Sequence, residues 1–138
     1  MKKVLLITLL VIPILFTNCK EEPEKDFTTI VGHTYVANYQ NYSYAEKKEL
    51  NLFLTYKFNQ DGTIAFEERV DSETGRLYES GKGYFEYNHP TLKLKVQSIC
   101  DECFNNFTAK VSTDKKEFSY QIYLLSANKS ITLNFKAK

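Results

Sequence analysis

The chain has 138 residues, enough for one domain and short for two. Its 18 basic and 17 acidic residues give a formal net charge of +1, which leaves no basic footprint for nucleic acid and no acidic tail. Hydrophobic residues are 43% and charged residues 25%, which excludes wholesale disorder, and 14% aromatic with only five Gly and three Pro leans towards strands.

The N-terminus has the three zones of a secretory signal. Lys2 and Lys3 form a basic start, and Val4 to Phe16 is an apolar run containing Thr8 and Pro13. At ~1.5 Å per residue the run is roughly 20 Å long, short of the ~30 Å hydrocarbon core, so it reads as a signal segment and not as a permanent span. Pro13 agrees, because proline weakens a helix interior.

Phe16-Thr17-Asn18-Cys19 follows. A cysteine directly after the apolar run resembles the lipobox of bacterial lipoproteins. The resemblance implies that Cys19 receives a diacylglyceryl group, that cleavage removes residues 1–18, and that palmitate-type acyl chains hold the protein on a bilayer. Two or more such chains anchor stably, since each buried CH₂ contributes about 0.8 kcal/mol. Lys20-Glu21-Glu22 resembles the surface-export signal of lipoproteins from Bacteroidetes-type bacteria, which implies an outer-membrane location with surface display. Read simply as residues, 19–26 is a charged tether containing Pro23. The domain is then 27–138.

From Ile30 onward the chain alternates. Leu50, Leu52, Leu54, Tyr56 and Phe58 share one parity, against Asn51, Thr55 and Lys57. A period of two predicts a half-buried strand. Asn59-Gln60-Asp61-Gly62 predicts a hairpin turn with Gly62 left-handed. The rhythm then repeats: Ile64 to Val70, a polar loop at Asp71 to Arg76, Leu77 to Tyr87, a turn at Asn88-His89-Pro90, and Leu92 to Val96. Phe104 to Val111, a turn at Ser112 to Lys116, Phe118 to Leu124, a turn at Ala127-Asn128-Lys129 and Ile131 to Phe135 complete it. Gly81 and Gly83 predict a bulge or bend. His33 to Gln40 is a first strand, and Ala45 to Leu50 has room for one helical turn.

Eight short strands joined by tight turns predict an all-β fold, an eight-stranded antiparallel up-and-down β-barrel, with a two-sheet β-sandwich as the alternative. Gly32-His33-Thr34-Tyr35, then Phe58-Asn59-Gln60-Asp61-Gly62-Thr63, Gly83-Tyr84-Phe85 and Leu92-Lys93-Leu94 come in an order that resembles the small lipocalin-like domains of bacterial envelope lipoproteins. Tyr35 stands at that family's usual Trp. The resemblance implies a lipocalin-like barrel; function within the family varies widely.

Cys100-Asp101-Glu102-Cys103 is the sharpest local motif. With Cys19 lipidated, an even pair is left in an oxidising compartment, and a disulfide is the first reading. A redox site would want a helix N-terminus after the motif, which the pattern lacks. A metal site would need His33 or His89, neither nearby in sequence. No metal or cofactor is expected. Glu67, Glu68, Asp71 and Glu73 read as a solvated strand end. Tyr35, Tyr39, Tyr42 and Tyr44 suit either recognition or half-buried strands. No nucleophile elbow, phosphate loop or HExxH motif is found, so the chain reads as no enzyme. Two roles remain. One is a binding module for a small apolar or amphipathic ligand or an envelope component. The other is a protein-interaction module, such as an inhibitor or accessory subunit, with a filled barrel. The inward bulk of Leu52, Leu54, Tyr56, Phe66, Leu94, Tyr120, Ile122 and Leu133 favours an interior without a large cavity.

Overall fold

A computed structural model describes residues 28–97 and 103–138. Eight strands run in sequence: β1 (Thr34–Ser43), β2 (Lys48–Phe58), β3 (Thr63–Val70), β4 (Leu77–Asn88), β5 (Thr91–Gln97), β6 (Phe104–Val111), β7 (Glu117–Leu124) and β8 (Lys129–Ala137). Each is antiparallel to the next, and β8 returns to β1. The sheet is a closed eight-stranded up-and-down barrel, lipocalin-like in topology, and not a two-sheet sandwich. Among the described residues there is no helix.

Side-chain alternation explains the closure. On β2, Leu50, Leu52, Leu54, Tyr56 and Phe58 are buried and the residues between them face outward. Leu92, Leu94 and Val96 on β5 repeat the pattern. A sheet with one apolar face hides it by curling on itself, which also removes its free edges.

One end is packed shut. Tyr35 meets Phe58 edge-on at 5.6 Å, and Phe118 stacks on Phe135 at 4.6 Å. Ile30 is fully buried in the same cluster. The Gly32 amide, at φ +83°, donates to the Phe58 carbonyl at 2.8 Å. The segment leading into β1 therefore lies across this closed end. The turns at 59–62, 89–90 and 112–116 share it, and those at 44–47, 71–76 and 125–128 form the opposite, open end. In the 59–62 turn Gly62 has φ +80°. Asp61 Oδ1 accepts from the Thr63 amide at 3.0 Å and its hydroxyl at 2.6 Å, which is why Asp-Gly-Thr turns the chain here.

Three local expectations are corrected. The first strand starts at Thr34, since the His33 amide is used in a turn back to the Ile30 carbonyl. Ala45 to Leu50 holds no helical turn. Ser43 Oγ instead accepts the Glu46 amide at 3.2 Å, Lys47 takes φ +53°, and the chain reverses into β2. The bulge lies not at Gly81 or Gly83 but at Tyr78, where pairing steps from Glu68↔Glu79 to Arg69↔Leu77. The two glycines serve contact instead. A Cβ at Gly81 would sit 2.6 Å from the Phe66 ring, and one at Gly83 would sit 2.5 Å from the Lys95 carbonyl oxygen.

Backbone pairing joins β6 to β7 at Lys110↔Ser119 and Val111↔Phe118, and β1 to β8 at Tyr35↔Ala137 and Val36↔Lys136. Both seams are closed near the packed end. Towards the open end, side chains bridge them. Phe107 stacks on Tyr120 at 4.5 Å, and Ser126 Oγ donates to Asn41 Oδ1 at 2.7 Å.

Candidate functional site: the open end of the barrel

The interior is filled only in part. A cavity of about 620 Å³ opens beside the 44–47 and 125–128 turns. The expected bulk is all there: Leu52, Leu54, Tyr56, Phe66, Leu94, Tyr120 and Leu133 are buried and Ile122 is half-buried. The Phe66 ring takes the space that Gly81 leaves on the inner face of β4, and Leu52 packs with Leu50 and Val70 towards the open end.

The cavity floor is a tyrosine pair. Tyr56 on β2 and Tyr120 on β7 meet through their hydroxyls at 2.7 Å. Burial pushes both phenols above the ordinary range. They act as neutral hydrogen-bonding groups inside an apolar wall.

A carboxylate pair lines one side. Glu68 shares the inward parity of Ile64, Phe66 and Val70 and is 7% exposed. Tyr39 on β1 donates its hydroxyl to Glu68 Oε1. Glu79 on β4 pairs directly with Glu68 across the strands, on the same inner face. Burial raises the Glu68 pKa, the Tyr39 bond opposes that, and the Glu79 charge adds to the rise. Tyr39 is raised by its burial and then by Glu68. The neighbouring Arg69 turns outward, with Nε on Glu67 Oε2 at 3.0 Å and Nη1 on the Gly75 carbonyl at 2.9 Å. Glu68 and Glu79 are the charged residues among the lining side chains.

The acidic stretch is therefore not uniformly solvated. Glu67 is exposed and pairs with Arg69 at 2.8 Å, but Glu68 points inward. The tyrosines divide as well. Tyr35 is buried at the closed end, donating to the Lys115 carbonyl at 2.6 Å, and burial pushes its phenol up to about 12. Tyr39 lines the cavity, and Tyr42 and Tyr44 form an exposed rim with rings 5.3 Å apart.

Cys19, Lys20, Glu21, Glu22 and Cys100 lie outside the described residues. Cys103 leads into β6 at the open end, while His33 precedes β1 and His89 sits in the β4–β5 turn, both at the closed end. The His89 ring bonds the Tyr87 hydroxyl at 3.0 Å. The fold does not bring Cys103 and these histidines together, and the described residues hold no cluster of three or more metal-type donors. Of the lining residues Tyr39, Glu68 and Glu79, Tyr39 was expected to serve recognition or a half-buried strand, Glu68 was expected at a solvated strand end, and Glu79 was missed, although it shares the parity of Gly81, Gly83 and Phe85.

No family model, curated protein or solved structure matches the chain.

Proposed function

We propose that the protein is a lipid-anchored, non-enzymatic binding module of a bacterial cell envelope, whose barrel takes a small amphipathic ligand through its open end. In this reading it is related to the lipocalin-like lipoproteins of Bacteroidetes-type bacteria. Cys19 carries the acyl anchor on the outer membrane, Lys20-Glu21-Glu22 directs export, and Cys100 and Cys103 form a disulfide.

The cavity carries the reading. Its volume of about 620 Å³ falls within the roughly 300–1,000 Å³ of small-molecule sites, and apolar walls, aromatic and aliphatic, that carry placed polar groups are common to such sites. The placement of the chain supports it. Thr28 to Gly32 lies at the closed end, so a tether attached before Thr28 leaves the mouth at the end opposite its attachment.

The test is native mass spectrometry of the full chain, made in a bacterial host and extracted from its envelope in mild detergent without reductant. A non-protein mass retained natively and lost on denaturation is the expected result. A bare chain would overturn the ligand reading. Acyl mass lost in Cys19→Ser, and a chain two hydrogens lighter than its reduced form, are the expected signs of the anchor and the disulfide.

One observation favours a protein-interaction role instead. Tyr44, Tyr123 and Leu125 stand 70%, 54% and 84% exposed around the mouth, an apolar rim suited to a partner surface. A bare native mass together with a co-purifying protein would support that role.

A further inference from the structure

The electrostatics of the cavity narrow the ligand class. Glu68 and Glu79 face each other in register on the inner wall, where Cβ atoms of paired residues stand about 5 Å apart. Like charges so placed repel, and a buried carboxylate without a counter-charge is costly. No Lys, Arg or His is among the lining residues. Among the described residues, no ion pair involves Glu68 or Glu79, and the nearby Arg69 and Arg76 are taken by Glu67 and Glu46. Among the described residues nothing supplies the balancing positive charge, and a bound ligand would bring it. Among the described residues the two carboxylates join no cluster of three metal-type donors, and a bare ion would leave the rest of the cavity empty. The remaining walls mix the rings of Tyr39, Tyr56, Phe66, Phe107 and Tyr120 with aliphatic and uncharged polar side chains, and ring faces attract cations and pack against apolar bodies.

We propose that the cavity binds an amphipathic organic cation, with its ammonium group between Glu68 and Glu79 and its apolar body against the rings of Tyr39, Tyr56, Phe66 and Tyr120. This rests on the small-ligand reading above and names the ligand's chemistry. An anionic amphiphile would place a third negative charge beside the pair. A neutral one would leave the pair uncompensated.

The experiment uses three probes with one body and different heads: 4-phenylbutylamine, 4-phenylbutanol and 4-phenylbutyrate. Each is titrated at neutral pH into the full chain held in phosphatidylcholine nanodiscs, with empty nanodiscs as the blank. The amine is expected to bind about tenfold more tightly than the alcohol, and the acid most weakly. The Glu68→Gln/Glu79→Gln double variant is expected to bring the three affinities together. If the alcohol or the acid binds as well as the amine to the unaltered chain, the cation assignment fails while the ligand reading stands. If none of the three binds, the assignment fails together with the use of the cavity as a ligand site. The comparison among probes on the unaltered chain decides the matter even where the double variant is unstable.

Discussion

Tyr56 and Tyr120 stand on opposite walls of the barrel, on β2 and β7, and meet hydroxyl to hydroxyl at 2.7 Å. The pair divides the packed half of the interior from the hollow half. Phe135 stacks on Tyr56 from the packed side at 5.0 Å, and both tyrosines line the cavity from below.

Each phenol satisfies the other, so removing one hydroxyl leaves its partner buried without that bond. Tyr56→Phe and Tyr120→Phe are each expected to cost about 1–2 kcal/mol in urea unfolding. The double variant should cost clearly less than the sum, because the orphaned group is then gone. Strict additivity would show that the hydroxyls do not depend on each other.

Gly81 and Gly83 are predicted to differ. An alanine methyl at Gly81 would meet the Phe66 ring at 2.6 Å, and one at Gly83 would meet the Lys95 carbonyl oxygen at 2.5 Å. A ring can turn aside, but a backbone carbonyl moves only with its strand. Gly81→Ala should lower stability by about 1 kcal/mol and Gly83→Ala by about 3 kcal/mol. Thermal unfolding of the two variants side by side checks the order.

Glu68 gives the barrel a pH dependence. Its native pKa is raised, first by burial, so the folded state holds the proton more tightly than the unfolded chain does. The stabilisation is complete below the ordinary glutamate range and is lost as pH rises through the raised native value. The groups facing Glu68 are Tyr39, Tyr56, Tyr120 and Glu79; the three phenols stay protonated across that window. Glu68→Gln keeps an acceptor for Tyr39. It should raise the unfolding free energy in urea at neutral pH by about 1 kcal/mol, and flatten the decline. A variant that parallels the unaltered chain at every pH would count against this role.

Lys115 turns the chain between β6 and β7 at φ +57°. A side chain in the left-handed region costs about 1–2 kcal/mol, and glycine avoids that at a smaller cost in unfolded-state entropy. Lys115→Gly should raise stability by about 0.5–1 kcal/mol in thermal melts. The Tyr35 hydroxyl bond is made to the Lys115 carbonyl, so the substitution leaves it in place.

The sheet was largely legible because a strand buried on one face writes itself as a period of two. Leu50 to Phe58 and Leu92 to Val96 carry that mark strongly, and Asn59 to Gly62 carries its own turn chemistry. The misreadings had local causes. Ser43 to Lys47 has no apolar alternation, so its reversal depends on a side-chain cap and a left-handed lysine. The Tyr78 bulge depends on how β3 and β4 slide past each other, and neither strand alone encodes that offset. Glu68 was legible by parity, as it follows Ile64 and Phe66 inward, yet a charge amid charges looks like surface.

The amino-acid sequence by itself left barrel and two-sheet sandwich open, and it determined the strands, their order and the apolar face of each. Those follow from local periodicity and from short-range chemistry. The tertiary structure alone decided that the barrel is packed at one end and hollow at the other, and that Glu68 and Glu79 oppose each other inside it with no protein cation beside them among the described residues. Cavity volume depends on how side chains from several strands meet. Their meeting is set by register and by the stagger of a closed sheet, which no single stretch of residues contains.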